Sequence, residues 1–127
     1  MAKGKILVVD DEVYIVHIID FSLGMEGYTV ETAYDGERAI TKAEELQPDL
    51  IVLDVVMPKL DGYETCRRLK ANPETKNIPV ILMSAKGRSI DFKLATDVGA
   101  ANFVTKPFSP RKLVEMIDLI LWNAQTP

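Results

Sequence analysis

The stretch KILVVDDE, from Lys5 to Glu12, decides the fold. Four consecutive apolar residues, three of them β-branched, read as a strand covered on both faces, as in a parallel sheet. Three acids follow at once. Like charges packed together repel and cost free energy unless something positive sits among them. A buried strand that ends in carboxylates therefore points to a cation at its carboxyl end.

Outward from this stretch, a short apolar strand followed by a longer periodic segment recurs five times. The predicted strands are Lys5–Val9, Thr29–Ala33, Leu50–Asp54, Pro79–Ser84 and Asn102–Thr105. The predicted helices lie near Glu12–Met25, Gly36–Glu45, Gly62–Ala71, Ser89–Asp97 and Pro110–Trp122. This alternation implies an α/β, doubly wound, five-stranded parallel sheet with five helices on both faces. Val13–Phe21, VYIVHIIDF, is rich enough in β-branched residues to pass for a strand. Acids precede it, which suits a helix N-terminus, and Val16, Ile19 and Leu23 have helical spacing, so it is read as a helix. Gly24 and Gly27 are read as following the first helix and Gly99 the fourth, and Ser109-Pro110 reads as an N-cap followed by proline at the first helical position.

A chain of 127 residues fits one domain, taken here as residues 1–127. Its net charge of −4 disfavours direct nucleic-acid binding, which needs a basic footprint. No apolar run reaches the length of a membrane span, and MAKGKI runs into a strand without a signal-peptide core. The one cysteine, Cys66, forms no internal disulfide and reads as a half-buried helix residue. A cytoplasmic location without membrane contact is expected. The one histidine, His17, is given no role.

In open α/β sheets, ligands bind outside the carboxyl ends of the strands. Asp10 and Asp11 follow the first strand, Asp54 and Ser84 end the third and fourth, and Lys106 with Pro107 follows the fifth. Any one of these has an ordinary reading: an aspartate as helix cap, a lysine as solvated charge, a serine as turn residue. Their joint placement at four strand ends carries the signal. Carboxylate oxygens without histidine or thiolate neighbours suit Mg²⁺, which keeps several waters and takes a phosphate into its shell. A carboxylate can serve as nucleophile toward a phosphoryl group, with the metal, Lys106 and Ser84 each neutralising one oxygen.

These residues resemble the receiver domains of bacterial two-component response regulators, of the single-domain chemotaxis type. The resemblance rests on ILVVDDE, PDLIVLDVVMPKLDGYE, IPVILMSA and GAANFVTKPFSP, in order along nearly the whole chain. It implies a flavodoxin-like strand order, 2-1-3-4-5, and a phosphorylation-activated switch rather than an enzyme in the ordinary sense. Asp54 would be the phosphoacceptor. Asp11 would ligate Mg²⁺ directly, Asp10 through water, and Asp54 and the backbone carbonyl of Val56 would complete the protein's ligands. Lys106 would pair with Asp54 and then with the phosphoryl group, and the Lys106–Pro107 bond would be cis. Ser84 would donate to a phosphoryl oxygen, vacating space for the Phe103 ring and altering the face built from helix four, strand five and helix five. The donor would be a phosphohistidine on a sensor histidine kinase or phosphotransfer protein, or a small phosphodonor such as acetyl phosphate. An output protein or domain would bind the altered face, which could also form a dimer.

The sequence departs from the family at several points. Phe103 stands where many members carry tyrosine, and Ser84 where threonine is common. Val56, two residues after the acceptor, has no polar group to orient water, so slow autodephosphorylation is expected. Ala101, Asn102 and Met116 replace residues that form charge pairs in the dimers of many DNA-binding members, which favours a stand-alone or differently coupled receiver. Helix five is apolar beyond one face, with Leu113, Ile117, Ile120 and Leu121 flanked by Met116, Leu119 and Trp122. Two other classes fit less well. An aspartate-nucleophile phosphatase would want an acid where Val56 stands, and a flavodoxin-like cofactor binder would want a first loop that does not repel phosphate.

Overall fold

The computed structural model describes residues 3–84, 91–106 and 108–125. Five strands, β1 (Lys5–Val9), β2 (Thr29–Ala33), β3 (Leu50–Asp54), β4 (Val80–Ser84) and β5 (Asn102–Thr105), alternate with five helices. These are α1 (Val13–Met25), α2 (Gly36–Leu46), α3 (Gly62–Ala71), α4 (Phe92–Asp97) and α5 (Pro110–Gln125). The sheet is parallel throughout, in the order β2-β1-β3-β4-β5. The doubly wound fold and its strand order are therefore as expected.

Strand periodicity divides the core in two. Leu7, Val9, Ile51, Leu53, Val80 and Leu82 point to one face, where Ala39, Ala43, Cys66, Leu69, Ala95 and Val98 of α2 and α3 and of the α4 region cover them. Ile6, Val8, Leu50, Val52, Ile81 and Met83 point to the other, under Val16, Ile19 and Leu23 of α1 and Leu113, Val114, Ile117 and Leu121 of α5. Every residue of β3 and β4 is buried, the consequence of cover on both faces. Each fully buried Leu, Ile or Met side chain contributes roughly 1.5–3 kcal/mol, so this double core dominates stability.

The ambiguous segment is a helix, and its buried residues are Val16, Ile19 and Leu23. Its β-branched residues are also on its outer face, where Val13, Tyr14, Ile18, Phe21 and Met25 are exposed. Boundaries shift slightly from the sequence reading. The fourth strand begins at Val80 because Pro79 has no N–H for the ladder, although its carbonyl accepts from Ile51 at 3.0 Å. The described part of α4 begins at Phe92, with the Asp91 carboxylate accepting from the Leu94 N–H; residues 89 and 90 lie outside the described residues. α5 continues three residues past Trp122, and Ser109 accepts at its start from the Lys112 N–H at 3.4 Å. Cys66 is fully buried rather than half-buried, because it faces the sheet from the middle of α3. Its thiol donates to the Val98 carbonyl, and burial pushes its pKa up to about 11.

One close approach fixes the end of β3. A Cβ on Gly62 would lie 2.2 Å from the Asp54 carbonyl oxygen and 2.6 Å from the Val55 Cα. Both are backbone atoms with no room to yield, so α3 packs against the strand end only with glycine there. Gly24 lies inside α1 rather than after it, on the exposed side, and a Cβ there would meet nothing within 4 Å. Gly62→Ala should cost about 2–3 kcal/mol or more, whereas Gly24→Ala should stabilise the chain by about 0.5–1 kcal/mol. Urea unfolding of the two variants beside the natural chain measures both.

Candidate phosphoacceptor site

The site is built at the carboxyl ends of β1, β3, β4 and β5. Asp54 is the last residue of β3 and is buried, with Oδ1 accepting from the Val56 N–H at 3.3 Å. Asp10 follows β1 and is fully buried. Its backbone N–H donates to the Ala33 carbonyl, and its Oδ1 accepts from the Glu12 N–H at 2.9 Å. Lys106 follows β5, held by its backbone N–H on the Ser84 carbonyl at 2.9 Å. Its ammonium donates to Asp10 at 2.7 Å, Glu12 at 3.1 Å and Asp54 at 3.2 Å. Ser84 is buried at the end of β4.

The electrostatics follow from burial and this one ammonium. Burial pushes the Asp10 carboxyl up, and the Asp54 charge adds to the rise; Lys106 and the Glu12 N–H oppose it without cancelling it. Burial alone would push the Lys106 ammonium down, but Asp10, Asp54 and Glu12 together hold it above the usual lysine range. Lys106 and the Tyr14 hydroxyl hold the Glu12 carboxyl below its ordinary value. Three carboxylates against one ammonium leave the cluster with two net negative charges.

Among the described residues, Asp10, Glu12 and Asp54 form the group of acids whose oxygens could share one ion, all within 4.8 Å. The donors are all hard oxygens and the charge deficit is that of a divalent cation, so the set fits Mg²⁺ by chemistry. Glu12 is the member that sequence reasoning left without a role. Asp11, expected as a direct ligand, is exposed and stands outside this group. The backbone bends at Asp11, and the Glu12 N–H turns back onto Asp10 Oδ1, which sets Glu12 beside Asp10 at the ammonium.

Val56 lies two residues after the acceptor and is 41% exposed. Phe103 is half-buried, packs with the α3 and α4 side of the core, and meets the Phe92 ring edge-on with centroids 4.8 Å apart. Ser84 pairs in register with Thr105, and Leu82 with Phe103, so Ser84 and Phe103 share one face of the sheet. The expected cis bond before Pro107 falls outside the described residues.

A parallel sheet with buried aspartates and a lysine converging on its carboxyl rim defines a class of phosphoryl-accepting α/β domains. The family model for the response regulator receiver domain matches residues 6–118, and the chain belongs to that family, whose members are phosphorylation-activated switches that generally bind Mg²⁺ in such an acidic pocket. It is 47% identical over 121 residues to the alkaline phosphatase synthesis transcriptional regulatory protein PhoP of Bacillus subtilis (strain 168), covering 95% of this chain and 50% of PhoP. The chain spans about half the length of the curated relatives it matches. Among solved structures, the receiver domain of a signal transduction histidine kinase from Syntrophus aciditrophicus superposes with a TM-score of 0.89 at 33% identity, covering 98% of this chain and 94% of that one. The chemotaxis response regulator CheY4 of Vibrio cholerae gives 0.84 at 32% identity, covering 94% and 98%. No helix among the described residues is long and apolar enough to cross a membrane.

Lys106→Met would leave Asp10 and Asp54 buried without their counter-ion. Breaking such a buried pair costs about 3–5 kcal/mol, so the variant should lose that much stability at neutral pH. Asp10 has a folded pKa above its unfolded value, so its ionisation opposes folding, and the loss of Lys106 accentuates this. The deficit against the natural chain should therefore shrink on mild acidification, as the carboxyl takes up its proton. Urea unfolding of both chains at neutral and mildly acidic pH reads it.

Proposed function

We propose that Asp54 accepts the phosphoryl group in this chain, and that residues 1–127 act as one cytoplasmic receiver domain. The observation that carries this reading is the Lys106 ammonium on buried Asp54 and Asp10, joined across 52 and 96 residues of sequence. An Asp54 carboxylate oxygen attacks the donor phosphorus as the bond to the leaving group breaks. That bond is P–N in a phosphohistidine, where the imidazole leaves, or P–O in acetyl phosphate, where acetate leaves. Lys106 stands in hydrogen-bond reach of the acceptor oxygen and takes up charge on the transferred group. Asp54, Asp10, Asp11 and the Val56 carbonyl would hold Mg²⁺, which when bound neutralises phosphoryl charge.

The Ser84 hydroxyl donates to a phosphoryl oxygen, and the Phe103 ring follows it inward. Their common sheet face supports this coupling. The readout is then the face of α4, β5 and α5, where Phe92 and Leu119 are exposed. A sensor histidine kinase or phosphotransfer protein supplies the group, and an output protein, an output domain or a second copy binds that face. Nucleic acid is not contacted by this domain directly. Val56 offers no acid for ester hydrolysis, so the domain is a switch, and its acyl phosphate decays slowly.

Intact mass after incubation with acetyl phosphate tests the acceptor. The natural chain should gain one phosphoryl group only when Mg²⁺ is present, and Asp54→Asn should gain none. Unmodified natural chain, or modified Asp54→Asn, contradicts the assignment. Val56→Asn, which adds an amide able to orient water, should shorten the lifetime of the phosphorylated chain several-fold in the same assay; an unchanged lifetime contradicts the role given to Val56.

A further inference from the structure

Lys106 is saturated. An ammonium has three N–H donors, and Asp10, Glu12 and Asp54 take one each. A phosphoryl group on Asp54 inherits the donor that Asp54 now holds, and the ammonium can give it a second donor only if another carboxylate gives way. The three are not equivalent. Asp10 is fully buried and pinned by the Glu12 N–H on its other oxygen, and Asp54 itself carries the incoming group. Glu12 has a side chain 41% exposed, at the mouth of an apolar groove lined by Tyr14, Ile15, Ile18 and Phe108. It can turn into water without leaving an unpaired buried charge, which neither aspartate can do.

We infer that Glu12 is the releasable counter-ion of the site: it occupies Lys106 until a phosphoryl group displaces it, and its negative charge at the entrance slows arrival of the anionic donor. This deepens the proposed function and rests on it. Glu12 is thereby a positioning residue, acting through Lys106.

The test is a time course of intact mass with acetyl phosphate at saturating Mg²⁺, in low and in high KCl. It compares the natural chain, Glu12→Gln and Glu12→Ala. Both variants should be phosphorylated faster at low salt, by roughly threefold or more, and the advantage should fade in high salt as the charge at the entrance is screened. A structural role for Glu12 would not produce that salt dependence, and thermal unfolding checks that the variants fold. Equal rates overturn the inference. Slower rates also overturn it and place Glu12 among the groups that assist transfer. If the natural chain is labelled and the variants gain nothing in rate, only this inference fails. An unlabelled natural chain removes the phosphoacceptor reading beneath it as well.

Discussion

The Lys106 ammonium among buried carboxylates is the constraint on which the rest of this structure depends. Asp10 and Asp54 come from the ends of neighbouring strands, β1 and β3, and both are out of water. Two buried carboxylates so close could not both stay charged without a cation between them. β5 delivers that cation from the far side of β4, and its backbone is held there by the Ser84 carbonyl. The parallel order 2-1-3-4-5 thus serves the site directly, placing strand ends that are distant in sequence on one rim. The double apolar core supplies the stability that lets the rim keep charges in an unfavourable place.

Much of this was legible in KILVVDDE and its counterparts. Near-continuous apolar runs fixed β1, β3 and β4 as strands covered on both faces, and strand-end position gave Asp10, Asp54, Ser84 and Lys106. The burial of Val16, Ile19 and Leu23 shows why a segment rich in β-branched residues is nonetheless a helix: tertiary packing of one helical face overrides local propensity. Glu12 was less legible. It was read as the start of a helix, whereas its backbone is still extended, with φ −87° and ψ 103°, which turns its side chain back toward Asp10. The burial of Cys66 depends on how α3 rolls against the sheet, which composition does not reveal.

Membership of the receiver family and half-length matches to longer curated relatives place this domain among switches whose outputs differ widely. Its sequence is more similar to the transcriptional regulator PhoP, at 47% identity, than to CheY4, at 32%. Ala101, Asn102 and Met116 nevertheless lack the charges that pair many DNA-binding members. Its surface is correspondingly apolar at Phe92, Leu119 and Trp122.

The most direct test of the central claim locates the acyl phosphate. Borohydride reduction of the phosphorylated chain converts an aspartyl phosphate to homoserine, and peptide mass spectrometry then finds the converted residue. Homoserine at position 54 alone, formed only in samples given both phosphodonor and Mg²⁺, is the predicted result. Conversion at Asp10, Asp11 or Glu12, or the absence of any converted residue in a chain that had gained phosphoryl mass, would contradict the account.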